Sequence, residues 1–212
     1  EPRVGEALIA ALKNPRTSNR AAVATTLGER HDTRAMDALV ACLDEPDSRL
    51  RVAAVEALGA LENGKTFDSL VRMLGDAEAE VRCLAAGAIG QLDDLRAIEP
   101  LIAKLKDADA MVRREAVRAL GGLEDARAAR AVAGALRDEN RDVRAFAAQS
   151  LCVVEPGLLD ALIGALADGE PQPGHPYIRG RGLLHFPGQP RLDLVAERPH
   201  PARHPGGLLG HA

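Results

Sequence analysis

The amino-acid sequence specifies an all-α fold, an α-solenoid of stacked antiparallel helix pairs with a 31-residue period. One phrase carries the repeat: "LRVAAVEALGAL" begins at Leu50, "VRCLAAGAIGQL" at Val81, "VRREAVRALGGL" at Val112 and "VRAFAAQSLCVV" at Val143, with a fainter copy, "NRAAVATTLGER", at Asn19. The starts at 19, 50, 81, 112 and 143 keep a constant spacing of 31. In the phrase, Val112, Ala116, Val117, Ala119, Leu120 and Leu123 fall at helical spacing, so each copy is a helix with one face to bury. The hydrophobic fraction of 46% comes mostly from Ala, Leu and Val, with aromatics at 2%, as suits helices packed closely in layers.

The first helix of each unit, helix A, is expected at "RVGEALIAAL" from Arg3, "RAMDALVACL" from Arg34, "KTFDSLVRML" from Lys65, "RAIEPLIAKL" from Arg96 and "RAARAVAGAL" from Arg127. "LLDALIGAL" from Leu158 is a sixth copy, displaced by one residue deleted from the preceding loop. Short polar loops, "DEPDSR", "GDAEAE", "KDADAM" and "RDENRD", separate A from helix B, the repeated phrase. Asp47, Asp109 and Asn140 hold equivalent places there and are the expected N-caps of the B helices, because a short side-chain oxygen at that point accepts an otherwise unpaired backbone N–H. Neither helix buries its apolar face alone, so neighbours must stack into one core. The solenoid is expected over residues 1–168, as five helical pairs and a sixth A helix. After Asp168 the composition changes in mid-repeat: residues 169–212 hold eight of the 13 prolines and five of the six histidines and are expected to be a disordered tail, natural or frameshifted. Starting at Glu1 within a repeat, the chain is expected to be a trimmed or partial product.

The run "D-x-x-x-x-V-R-x-x-A-x-x-A-L-G-x-L" followed by "D-x-R-A-x-x-x-L-I-x-x-L" resembles the HEAT-like repeat of the phycobilisome-lyase type. Asp107 with "VRREAVRALGGL", then "EDARAARAVAGAL", carries the resemblance most closely, and it extends over residues 1–168. It implies the solenoid fold, but such repeats occur in bilin lyase subunits, in a deoxyhypusine hydroxylase family and in many scaffolds, so fold does not decide function. The hydroxylases carry metal-binding His-Glu pairs early in their B helices. The matching places here read Arg114-Glu115, Val52-Ala53, Cys83-Leu84 and Ala145-Phe146, so the resemblance implies no di-metal site in this chain.

Several residue series invite a functional reading. Arg20, Arg51, Arg82, Arg113 and Arg144 stand second in the B phrases and could form an anion-binding stripe. Acids keep the same period at Asp76, Asp107 and Asp138, with Glu45 and Asn14 at the earlier places, so pairing between loops is the expected role. Gly28, Gly59, Gly90 and Gly121 recur near the ends of the B helices, where glycine costs about 1 kcal/mol against alanine and so implies close approach of the next helix. Cys42 and Cys152 fall on apolar faces, whereas Cys83 is expected to be exposed but has no partner that would make it a nucleophile. His31 is expected to be a solvated loop residue. His200 and His204 are kept from a helical metal pair by Pro199, Pro201 and Pro205.

A net charge of −4 argues against a nucleic-acid partner, and no apolar run reaches membrane-spanning length, so neither partner is expected. Three widely spaced cysteines suit a reducing cytoplasm. The expected function is a cytoplasmic, non-enzymatic scaffold that binds another protein through the concave face of the B helices; the alternative is a subunit of a bilin lyase complex. No catalytic residue, metal or cofactor is expected. The B positions outside the repeating apolar set supply the expected partner-binding residues: Leu84, Arg114, Glu115, Arg118, Phe146 and Gln149.

Overall fold

The computed structural model describes residues 2–151 and the backbone of 177–179 and 183–185. Ten α-helices lie among the described residues: α1 (Pro2–Lys13), α2 (Arg20–Glu29), α3 (Met36–Cys42), α4 (Ser48–Ala60), α5 (Phe67–Met73), α6 (Ala79–Gln91), α7 (Ile98–Lys104), α8 (Ala110–Gly121), α9 (Ala126–Gly134) and α10 (Arg141–Leu151). Odd-numbered helices are the A helices and even-numbered ones the B helices, so the all-α solenoid of paired helices stands as the sequence specifies.

Caps set where each helix begins. Asp47 accepts the Arg49 N–H, Asp109 accepts those of Met111 and Val112, and Asn140 accepts those of Asp142 and Val143. The A helices have a cap series of their own: Asp32, Asn63, Asp94 and Asp125 accept the N–H groups of Arg34, Lys65, Arg96 and Arg127. In α3, α5 and α7 that cap opens a single 3-10 turn, at Thr33–Ala35, Gly64–Thr66 and Leu95–Ala97, before the α-helix proper. The turns from B to A contain His31, Glu62 and Asp93 at positive φ of 48°, 45° and 49°, the left-handed conformation usually given to glycine.

The B helices form the inner layer. Each packs along the next, α2 on α4, α4 on α6, α6 on α8 and α8 on α10, far more extensively than one A helix packs on another. The recurring glycines explain the closeness. A Cβ on Gly28 would lie 2.7 Å from Ala57 Cα, on Gly59 3.0 Å from Ala88 Cβ, on Gly90 2.5 Å from Ala119 Cβ, and on Gly121 2.9 Å from Ser150 Cβ. Between the layers runs a continuous core in which Leu39, Leu70 and Leu101 of the A helices and Leu58, Ile89 and Leu120 of the B helices are fully buried. The outer side is joined by exposed side chains: Arg34–Glu6, Arg96–Asp68 and Arg127–Glu99 approach at 4.0, 4.0 and 3.8 Å, Arg72–Asp44 at 2.9 Å, and Arg96 stacks 4.3 Å over the Phe67 ring. The tighter spacing therefore lies on the B side of the stack.

The sixth A helix expected from Leu158 lies outside the described residues, and so does most of the expected tail. Within the tail, strands β1 (Tyr177–Arg179) and β2 (Leu183–His185) pair antiparallel with Ile178 opposite Leu184.

Two glycines separate crowding from helix propensity. Gly90→Ala gains about 1 kcal/mol of propensity but drives a methyl into Ala119, and such overpacking costs about 1–3 kcal/mol, so a net loss of about 1 kcal/mol is expected. Gly134 is helical with nothing within 4 Å of an added Cβ. Gly134→Ala is therefore expected to raise stability by about 0.5–1 kcal/mol in urea titrations of the two variants.

Candidate partner-binding face

On α8 and α10 the third, fourth and seventh positions of the phrase, Arg114, Glu115, Arg118, Ala145, Phe146 and Gln149, stay outside the fully buried core, whereas Ala53 and Gly87 at equivalent places are buried. On α8 and α10 these residues form two contacts. The Arg114 guanidinium lies 5.9 Å from the centre of the Phe146 ring, at the outer reach of a cation–π contact. Arg118 donates from Nε and Nη2 to one Glu115 oxygen at 2.8 and 2.6 Å, one helical turn apart. Hydrogen bonding to Glu115 raises the Arg118 pKa. Gln149 is exposed on the same side of α10.

Leu84 and Phe146 fill gaps between adjacent B helices. Both are half-buried and pack against the core, because the glycine contacts draw the B helices close enough to cover them. Cys83 is half-buried as well, and its Sγ lies 3.8 Å from the Met111 carbonyl oxygen. Burial, then the nearby Glu115 carboxylate, push its thiol pKa up, so it stays protonated and is no nucleophile. Cys42 is buried, and burial likewise raises its pKa; Cys152 lies outside the described residues.

Two further residues shape this face. Gly87 leaves the dent in α6 that the Glu115 carboxylate fills, since a Cβ there would meet Glu115 Oε1 at 2.6 Å. Met111, 51% exposed at the start of α8, is the largest apolar side chain open to solvent on the B helices among the described residues. Its signal was present: the equivalent positions one repeat away are Glu80 and Asp142, so an apolar residue interrupts a polar series.

The arginine ladder is consumed by the stack. Arg51, Arg82 and Arg113 each reach a carboxylate 25 residues ahead through Nε and Nη2, binding Asp76, Asp107 and Asp138 at 2.8–3.0 Å. Their Nη1 atoms donate to two carbonyls of their own loops, as Arg82 does to Asp76 and Ala77 at 2.9 Å. Arg20 pairs with Glu45 at 2.8 Å in the same sense. His31, expected to be merely solvated, places Nδ1 2.9 Å from the Ala60 carbonyl oxygen of the next repeat. No cluster of three or more possible metal ligands occurs among the described residues. No helix among them is long and apolar enough to cross a membrane.

A family model for HEAT repeats matches residues 5–82 and again 67–152. No curated protein matches the chain. Among solved structures, the complex of CpcE and CpcF of phycocyanin lyase from Nostoc sp. PCC7120 is similar, with a TM-score of 0.64 and 26% identity, covering 78% of this chain and 71% of that one. A designed armadillo repeat protein in complex with the peptide (KR)4 has a TM-score of 0.56 at 20% identity, covering 75% of this chain and 86% of that one. A second designed armadillo repeat protein gives 0.56 at 19% identity, covering 76% and 88%. These last two share the fold alone.

The ladder predicts a pH dependence. Hydrogen bonds from Arg82 hold the Asp107 carboxyl below the usual carboxylate range, against the opposing effect of burial. A depressed folded pKa stabilises the fold above the unfolded value, about 3.9, and the gain is lost as pH falls through the folded value. Asp107→Asn is expected to cost about 3 kcal/mol at neutral pH by leaving Arg82 buried without its carboxylate. In urea titrations at several pH values, the gap between wild type and variant should narrow on acidifying below about pH 4.

Proposed function

Because the chain belongs to the HEAT-repeat family, we propose that it is a non-enzymatic scaffold that binds another protein on the concave face of its B helices. One observation supports the reading: core aliphatic residues, glycine contacts and arginine clamps recur through the first four B helices, while the third, fourth and seventh positions change from copy to copy. Positions that the stack does not dictate are free to be shaped by a partner. Leu84, Arg114, Glu115, Arg118, Phe146 and Gln149 supply an apolar floor, a cation over an aromatic ring, and an exposed ion pair, the makeup of an anchor with a polar rim. Met111 extends the apolar part. The face is neither uniformly basic nor membrane-seeking, and the proposed setting is the cytoplasm.

A second reading rests on the similarity to the CpcE–CpcF complex, which is above the level of the designed repeat proteins in identity. In it the chain is a subunit of a bilin lyase-type assembly, and the protein partner is another subunit or the acceptor protein.

Capture of partners from the native host, followed by titration of the recovered partner, tests the scaffold reading. Phe146→Ala and Arg118→Ala are expected to weaken binding at least tenfold, about 1.4 kcal/mol. The helical circular dichroism should be unchanged for Arg118→Ala and slightly less heat-resistant for Phe146→Ala. Unchanged affinity in both would move the site to the A face or the loops. Bilin pigment retained on the purified complex would favour the lyase reading.

A further inference from the structure

The ion pair on α8 is uneven in depth. Glu115 keeps 18% of its side-chain surface exposed and Arg118 keeps 42%. The carboxylate is sunk in the dent left by Gly87, where an added Cβ would meet Glu115 Oε1 at 2.6 Å and Arg118 Nη2 at 3.4 Å. What the pair shows to solvent is therefore its guanidinium. Arg114 stands one helical turn before Arg118, so the two guanidiniums share one side of α8. Both also act on one neighbouring group: burial and the Glu115 carboxylate raise the Cys83 thiol pKa, while Arg114 and Arg118 lower it. Two cations over one submerged anion leave this part of the B face positive, on a chain whose net charge is −4.

The neighbouring acids do not cancel that charge. Asp109 and Asp142, at the starts of α8 and α10, form no ion pair with either arginine among the described residues. The other acid at the third, fourth or seventh place of a B phrase is Glu56, two B helices away on α4. Apolar side chains border the cations instead. The Arg114 guanidinium lies 5.9 Å over the Phe146 ring, Leu84 is half-buried on α6, and Met111 is 51% exposed. A guanidinium set against an aromatic ring keeps its N–H edge for a planar acceptor, and carboxylate is the one a polypeptide offers. Phosphate backbones are bound by extended basic surfaces, which one pair of arginines bordered by apolar groups is not.

We propose that Arg114 and Arg118 receive the carboxylates of an acidic, leucine-bearing segment of a protein partner, whose apolar side chains rest on Phe146, Leu84 and Met111. The proposal rests on the scaffold reading above and gives the partner a charge and a composition. Glu115 is a positioning residue that holds Arg118 on the face, and Glu56 repels such a segment from α4, so it lies over α8 and α10.

Fluorescence anisotropy of the full chain with the labelled peptides (DL)4, (NL)4 and (KL)4 tests this. The acidic peptide should bind at least about tenfold more tightly than (NL)4, with (KL)4 weaker still. Arg114→Gln and Arg118→Gln should each weaken (DL)4 at least about fivefold with the helical circular dichroism unchanged. Arg130→Gln, which alters an exposed arginine on α9, should change nothing. Arg114→Glu should bind (KL)4 more tightly than the wild type does. The proposal fails if (NL)4 or (KL)4 binds as well as (DL)4, if no peptide binds, or if Arg114→Gln and Arg118→Gln both bind (DL)4 like the wild type. It fails equally if a short oligouridine, as a phosphate source, binds these arginines as tightly as (DL)4. A recovered partner released by Phe146→Ala but indifferent to Arg114→Gln and Arg118→Gln would overturn the acidic segment and leave the scaffold reading standing. One indifferent to all three variants would take this face out of both readings.

Discussion

An arginine near the start of α4, α6 and α8 binds its own loop through one nitrogen and the next repeat's aspartate through two others, and the order of the stack depends on that reach. Helices faced with Ala, Leu and Val offer smooth surfaces that bury similar apolar area when slid by a turn. A guanidinium fixed at both ends fits one register only. Burying such a pair carries a desolvation cost that offsets much of its attraction, so its value lies in specifying the packing more than in adding stability. The aspartate is shared further: Asp107 also accepts the Asp109 N–H, which sets the loop that starts α8. One carboxylate thus ties together a neighbour's arginine, its own loop and the helix that follows.

Stability comes from elsewhere. The core is supplied by fully buried leucines and by the small residues that let B helices approach, and each fully buried leucine contributes about 1.5–3 kcal/mol relative to exposure. Because clamp, core and glycine contact occupy fixed places in each phrase, the remaining B positions carry little structural duty. Arg114 and Glu115 stand where Cys83 and Leu84 stand one repeat earlier, on the same backbone. A protein of this build can change its binding surface without changing its fold.

The helices, the caps Asp47, Asp109 and Asn140, and the role of the recurring glycines were legible because each is a local signal repeated at one period. The A-helix caps carry the same period at Asp32, Asn63, Asp94 and Asp125, but the turn that the first three open is 3-10, which a search for 3.6-residue periodicity passes over. The left-handed residues His31, Glu62 and Asp93 gave no warning, since glycine is missing from them and is spent inside the B helices, where room is shortest. The half-burial of Leu84 and Phe146 depends on the spacing between helices, a distance that no single helix encodes. The same holds for His31, whose bond to the Ala60 carbonyl spans 29 residues.

The contrast between the two layers has a mechanical consequence. Along the B layer, backbone and methyl groups already touch and leave no room for compression, whereas the A layer is joined by contacts between exposed side chains, each worth little. The stack thus behaves as a strip with a stiff inner seam and a compliant outer edge. Bending about that seam strains only the outer contacts and leaves the inner ones, and with them the register, in place.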